Sequence, residues 1–255
     1  MCSSDLHRSY GSLISMTPEL QTPEGQHFLP WPQRDWRATP PHTATRVPGT
    51  TALINANKIS MISGSLYGLR RRVIEAFAKT EVPLTLAGSN WQRQARAVVV
   101  ENARATAYAI VNKERIDWSE WAHELRLTPT IEHLGVVDDK EAVLLRSQFA
   151  VVIENSAGYI SEKLFDAVIA GCIPLFVGPE LSQFGIPNDV VLRMPLRADA
   201  FPVAVQALTE AEADAILTAG RRWLASDASW ERFAMPQALK RLATAVNDNI
   251  EGRAQ

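Results

Sequence analysis

The sequence predicts an α/β fold in which helices cover both faces of a parallel β-sheet. Residues 149–153 and 173–177 are continuous apolar runs, and residues 161–171 between them have the composition of a helix. A strand that is apolar along its whole length is buried on both faces, and strands that alternate with helices pair in parallel. Both observations favour a doubly wound sheet.

Upstream segments repeat this alternation of strand and helix. Val73, Ile74 and Phe77 recur at helical spacing, which indicates one apolar helix face. The predicted elements are a strand at 59–62, a turn at 64–68, a helix at 69–79, a strand at 83–88, a helix within 92–113 and a helix at 139–147.

The chain divides into four predicted segments. Residues 1–6 spell the translation of a common sequencing adapter, so we interpret them as an artefact and expect the natural chain to extend upstream. Residues 7–57 are rich in Pro and Thr and lack a helical or strand period, which indicates a linker or the remnant of a preceding domain. Residues 58–195 form the predicted Rossmann-like domain, and residues 196–255 follow as C-terminal helices.

The composition argues against several classes of protein. The 255 residues carry a formal net charge of −2 with a pI of about 6.2, so no global charge attracts nucleic acid or an anionic membrane. The two cysteines cannot form a disulfide framework, and Cys172 lies in an apolar run where a buried thiol is typical. No stretch approaches the roughly 18–20 apolar residues of a membrane span. We therefore expect a soluble chain from a reducing compartment.

Residues 154–163 run directly from one predicted strand into a helix and are rich in polar residues. Ligands of parallel sheets collect at such carboxyl ends, where helix N-termini present free N–H groups. Ser161 is a predicted N-cap, so Lys163 falls in the first helical turn, where its charge opposes the helix dipole at a cost of a few tenths of a kcal/mol. A bound phosphate would reverse the sign of that effect.

A second junction, residues 63–72, combines small residues with three successive arginines at a helix start. The small residues let the backbone approach a ligand, and the arginines again oppose the helix dipole. We expect one of Arg70, Arg71 and Arg72 to face an anion. Together the junctions predict an arginine and a lysine on a diphosphate, with Glu162 accepting hydrogen bonds from sugar hydroxyls.

Each of these features also has a purely structural interpretation. Lys163 can be a solvated charge that pairs with Asp166 one turn later. The arginine run can be an ordinary basic helix face. Asn155 and Ser156 can belong to a loop that caps the strand end.

The same residues resemble the donor-site motif of the fucosyltransferases of glycosyltransferase family 10. The motif covers Glu154-Asn155-Ser156, then Tyr159-Ile160-Ser161-Glu162-Lys163-Leu164-Phe165-Asp166-Ala167, then residues 170–174. A second block is similar to another signature of that family: Ser63 followed seven residues later by Arg70 and a helix. The resemblance extends over roughly residues 53–194.

This resemblance implies the C-terminal, donor-binding half of a GT-B enzyme that transfers L-fucose from GDP-fucose with inversion, without an obligatory metal or other cofactor. The implied acceptor is a glycan hydroxyl on N-acetylglucosamine or glucose, and the implied location is the bacterial cytoplasm, with peripheral association at the inner face of the membrane. The family's general base belongs to the N-terminal domain, so no catalytic residue is assigned here. The implied donor-site residues and roles are Arg70 and Lys163 on the diphosphate, Glu162 on ribose or fucose hydroxyls, Asn155 and Tyr159 in the nucleotide pocket, and Ser156 beside them.

Three other functions compete with this one. Another GT-B transferase would neutralise the same diphosphate with a different sugar attached. A catalytically silent fragment would bind the nucleotide without transfer, and a parallel-sheet protein with no nucleotide role would leave the basic clusters unexplained. A metal-dependent GT-A transferase is disfavoured because the sequence contains no Asp-X-Asp triplet. We expect Lys163→Met to abolish donor binding with little change in stability.

Overall fold

The structure is a computed structural model that describes residues 13–15, 26–28, 32–38, 46–91, 95–116, 118, 131, 133–156, 158 and 160–252. Its strands are β1 (Leu13–Ser15), β2 (Gln26–Phe28), β3 (Val47–Ile54), β4 (Leu84–Ala87), β5 (Ser147–Ile153), β6 (Ile173–Val177) and β7 (Leu192–Arg193). Its α-helices are α1 (Tyr67–Phe77), α2 (Ala95–Val111), α3 (Lys140–Arg146), α4 (Glu162–Ile169), α5 (Ala200–Ala207), α6 (Glu210–Ala225), α7 (Asp227–Phe233) and α8 (Met235–Gly252). Short 3₁₀ helices span Leu181–Phe184 and Asn188–Val190.

A five-stranded parallel sheet organises the fold, with strand order β4-β3-β5-β6-β7. From β3 the chain moves to β4 at one edge, then returns to β5 on the other side of β3 and continues to β6 and β7. The direction of winding therefore reverses between β3 and β5. In open parallel sheets this reversal opens a crevice at the carboxyl ends of the two strands, where ligands bind.

Successive residues of the central strands enter cores on opposite faces of the sheet. Ala150 and Val152 of β5 pack in the core formed with α4 and α6, whereas Phe149, Val151 and Ile153 pack in the core formed with α1 and α5. This two-sided burial confirms the predicted α/β architecture. On the first face the rings of Phe165, Trp223 and Phe233 pack with centroids 4.9–5.9 Å apart.

The helices predicted at 69–79, within 92–113, at 139–147 and at 161–171 and the strands predicted at 83–88, 149–153 and 173–177 are confirmed within a few residues of their predicted ends. A further helix predicted around Trp118 and Trp121 lies largely outside the described residues. The strand predicted at 59–62 is wrong, because Ile62 forms only an isolated bridge with Ile116. The strand lies at Val47–Ile54 instead, inside the segment for which we predicted no strand, and it pairs with both β4 and β5. Pro48 and Gly49 at its start obscured the pattern, because both residues are depleted in strands.

Residues 32–38 pack against the C-terminal helices and α3. Arg34 Nη1 lies 2.6 Å from Glu141 Oε2. The buried Trp36 donates its indole N–H to the Leu224 carbonyl oxygen at 3.0 Å, and Trp230 donates to Asp35 Oδ1 at 3.0 Å. This part of the segment predicted as a linker is thus integrated into the fold.

Cys172 is the buried thiol that its apolar surroundings predict. It is 2% exposed and donates to the Leu144 carbonyl oxygen at 3.1 Å. Burial raises the pKa of Cys172 to about 12, so the thiol stays protonated at neutral pH and is a poor nucleophile.

Candidate functional site

A cavity of about 430 Å³ opens at the carboxyl ends of β3 and β5, where the winding of the sheet reverses. Among the described residues that line it, four side chains are basic and two are acidic. A local excess of positive charge on a chain of net charge −2 favours an anionic ligand at this position. The charged lining residues are Lys58, Arg70, Lys140, Lys163, Glu162 and Asp166.

Glu154 organises the turn between β5 and α4. Its carboxylate is fully buried. Oε1 accepts from the backbone N–H of Ser161 at 3.0 Å, and Oε2 accepts from the Ser161 hydroxyl at 2.6 Å. The carboxylate therefore fixes the residue at which α4 begins. Glu154 belongs to the motif found in the sequence, but no local sequence pattern predicts this role.

Lys163 lies beside this carboxylate. Its Nζ donates to Ser161 Oγ at 2.7 Å and lies 3.6 Å from Glu154 Oε2. Ser161 is the N-cap of α4, as predicted, and its hydroxyl also accepts from the Lys163 backbone N–H. Glu154 therefore supplies a buried counter-charge to Lys163 within the protein, which bears on the small change in stability expected for Lys163→Met. An ammonium has three donors, so this pair still leaves one for a ligand.

Arg70 joins α1 to the end of β5. It is 3% exposed, and its Nη2 donates to the Ile153 carbonyl oxygen at 2.6 Å and to Asn155 Oδ1 at 2.8 Å. Its guanidinium also lies 4.7 Å from the centroid of the Tyr67 ring. Both of these hydrogen-bond acceptors are neutral oxygens.

Arg70 and Arg71, two of the three arginines of the second junction, have different surroundings. Arg70 lines the cavity, whereas Arg71 donates to Asn57 Oδ1 at 2.6 Å and to the Lys58 carbonyl oxygen at 3.2 Å. This division agrees with the expectation that one arginine faces the site, since successive helical residues point in different directions.

The structure brings four of the six predicted site residues to one cavity: Arg70, Asn155, Glu162 and Lys163. Ser156 is half-buried and accepts from the Gly158 backbone N–H at 3.4 Å rather than lining the cavity. Tyr159 lies outside the described residues. Lining residues that we did not predict include Asn55, Lys58 and Lys140. Asn55 carried one sequence signal, a polar residue directly after an apolar stretch.

Asp166 is a partly buried carboxyl group that lines the cavity. Desolvation raises the pKa of Asp166 above its ordinary value, and nearby Glu162 adds to the shift, while the charge of Lys140 opposes it. A raised pKa means that the folded protein binds this proton more tightly than the unfolded chain does. The stability that Asp166 contributes is therefore present below its unfolded pKa and is lost as the pH rises through the folded value.

Replacing Asp166 by asparagine should raise the melting temperature at pH 7, because the amide resembles the protonated carboxyl and removes a desolvated charge. The gain should shrink as the pH falls toward 3.8, the ordinary pKa of an aspartate. Thermal melts of both proteins across this pH range measure the effect. Asp214→Asn, at an exposed aspartate, is the matched control, and an equal gain in both variants would contradict the assignment.

The fold is similar to that of GT-B glycosyltransferases. Staphylococcus aureus TarM, solved with Fondaparinux, alpha-GlcNAc-glycerol and UDP, superposes with a TM-score of 0.50 at 12% identity, covering 94% of this chain and 44% of TarM. An alpha1,3-fucosyltransferase solved with GDP superposes with a TM-score of 0.39 at 14% identity, covering 78% of this chain and 47% of that enzyme. A TM-score this low carries no argument about the fold. The chain spans less than half the length of these structures.

Sequence comparison gives a local match and no family assignment. A putative fucosyltransferase-like protein of Arabidopsis thaliana is 37% identical over 73 residues, which make up 28% of this chain and 14% of that protein. No protein-family model matches the chain. Within the described ranges, no helix has the length and apolarity needed to cross a membrane.

Proposed function

We propose that this chain is the donor-binding part of an inverting glycosyltransferase that transfers L-fucose from GDP-fucose to a glycan hydroxyl. The observation that carries the proposal is the meeting of Arg70 and Lys163 at one cavity at the winding reversal of a GT-B type sheet. The local match to a fucosyltransferase-like protein supports fucose as the sugar. Acceptors carrying N-acetylglucosamine or glucose are part of the same proposal.

The two cations act on the charge that develops as the donor reacts. The acceptor oxygen forms a bond to the anomeric carbon while the bond to the diphosphate oxygen breaks, so negative charge grows on the leaving diphosphate. Cations held in place before the reaction stabilise that charge without reorganising. Arg70 is positioned by the end of β5, and Lys163 by Ser161 and Glu154. We propose that they serve in place of a divalent metal.

The remaining groups are assigned to recognition of the donor. Glu162 opens α4 at the rim of the cavity, and its carboxylate accepts hydrogen bonds from ribose or fucose hydroxyls. We assign Asn155, whose side chain accepts from Arg70, to the nucleotide pocket, and Tyr159 on the resemblance alone. We assign no described residue as the general base.

A second candidate is a GT-B transferase that uses a UDP-sugar. It is favoured by the superposition on TarM, which was solved with UDP. A cation pair on the diphosphate does not distinguish the two donors, because both nucleotides carry the same two phosphates.

Calorimetric titration of the chain with GDP and with UDP separates these candidates. The proposal predicts saturable binding of GDP, clearly tighter than UDP, that persists in the presence of EDTA. Tighter binding of UDP would favour the second candidate, and a loss of binding in EDTA would contradict the metal-independent assignment. Absence of binding by either nucleotide would overturn the proposed function.

A further inference from the structure

The side-chain amide oxygen of Asn55 is a buried polar atom to which no described residue donates a hydrogen bond. Asn55 directly follows β3, is 6% exposed and lines the cavity. Its Oδ1 is buried and accepts no hydrogen bond from any described residue. Buried polar atoms in native proteins nearly always have a partner, so an unpaired amide oxygen at a ligand cavity calls for an explanation.

The backbone of Asn55 is held by hydrogen bonds, so its unpaired amide oxygen does not reflect a loosely packed segment. Its N–H donates to the Ala87 carbonyl oxygen at 3.0 Å, and its carbonyl oxygen accepts from the Trp91 indole at 2.7 Å. Gly88 packs against it with a φ of +127°, so closely that a Cβ there would lie 2.0 Å from the Asn55 carbonyl oxygen. The fold thus fixes Asn55 at the cavity while leaving its amide oxygen without a partner.

Asn57 is a nearby asparagine whose side chain has a structural role. It lies two residues further along and is similarly buried, at 9% exposed. Its Nδ2 donates to the Asn90 carbonyl oxygen at 3.1 Å, and its Oδ1 accepts from Arg71 at 2.6 Å. The amide of Asn57 therefore stabilises the turn, whereas Asn55 Oδ1 has no such role.

The position of Asn55 indicates which part of a ligand it meets. Arg70 and Lys163 are anchored at the end of β5 and the start of α4. Asn55 follows β3, the next strand of the sheet, and lies between that anionic subsite and the Gly88-Ser89 wall that follows β4. An amide oxygen only accepts hydrogen bonds, and a diphosphate at neutral pH has no proton to donate. The partner of Asn55 Oδ1 must therefore be an N–H or O–H group.

We propose that Asn55 recognises the uncharged part of the donor by accepting a hydrogen bond from its nucleoside or its sugar. The inference rests on the proposed function, since it requires a nucleotide sugar in this cavity. It assigns Asn55 to specificity, apart from the residues that bind the diphosphate.

The test is the Asn55→Ala variant, titrated with GDP-fucose, GDP and inorganic pyrophosphate. Affinity for GDP-fucose should fall roughly three- to tenfold, the usual effect of one lost hydrogen bond, whereas affinity for pyrophosphate should not change. An equal loss for GDP identifies the nucleoside as the partner, and a loss confined to GDP-fucose identifies the sugar. The melting temperature should stay the same or rise, because the change removes an unsatisfied buried group.

Asn57→Ala is the matched control, and it should lower the melting temperature by breaking two hydrogen bonds. The inference is overturned if Asn55→Ala binds GDP-fucose as tightly as the wild type, loses pyrophosphate to the same extent, or is destabilised like Asn57→Ala. Failure of the proposed function is recognised separately, because the wild-type protein would then bind neither GDP-fucose nor GDP.

Discussion

Replacing Glu154 by alanine should lower the stability of the protein by about 3 kcal/mol, or roughly 6–12 °C in melting temperature for a domain of this size. The Ser161 N–H and hydroxyl would lose their common acceptor, and Lys163 would lose its counter-charge. Removing one member of a buried ion pair costs more than the pair contributes, because the other charge remains desolvated. The start of α4 would loosen as a result.

Thermal and urea melts of two further variants test whether the buried carboxylate causes this loss of stability. Glu154→Gln keeps the volume and one acceptor oxygen, so it should cost less than alanine. Glu162→Ala removes a carboxylate eight residues later that is only half-buried, and its effect on stability should be small. If Glu154→Ala melts at the same temperature as Glu162→Ala, the buried carboxylate does not organise the turn.

Replacing Lys163 by methionine should weaken GDP binding by roughly 100-fold, the effect of losing a charge-assisted contact with phosphate. It should also lower the melting temperature, in contrast to the small change that the sequence led us to expect. The reason is Glu154, which the substitution leaves buried without its cation. Calorimetry and thermal melts measure the two effects separately.

The double variant Glu154→Gln with Lys163→Met separates binding from stability. Removing both charges should recover much of the stability lost in Lys163→Met, because no unpaired ion stays buried. GDP binding should remain weak, because the phosphate still lacks its cation. If the Lys163→Met variant binds GDP as tightly as the wild type, Lys163 has a structural role and does not bind the phosphate.

The segment from β5 through α4 was predictable because each signal in it is local. The signals are an uninterrupted apolar run, a serine at the N-cap and an amphipathic helix, and each of them depends on fewer than ten neighbouring residues. The strand β3 was not predictable in the same way. Only Thr51, Ala52 and Leu53 in its second half are fully buried, and the start of the strand contains Pro48 and Gly49.

The site was predictable to the level of residue type and position, but not to the level of partners. Lys163 was identified because its charge opposes the dipole of α4, a property that can be read from the sequence. Its pairing with Glu154, nine residues earlier, depends on how the turn folds back. The burial of Asn55 depends on Trp91 and Gly88, which follow the neighbouring strand β4, so the local pattern that marks Asn55 as polar does not reveal its surroundings.

The counter-charge beneath Lys163 also bears on how fast a ligand associates. Since Glu154 and Ser161 hold the ammonium in place in the free protein, the lysine rotamer is selected during folding rather than at the moment of encounter. Little side-chain entropy is then lost on complex formation. A site arranged in this way captures its ligand by rigid-body docking, and differences in affinity between related ligands arise mainly in the rate at which they leave.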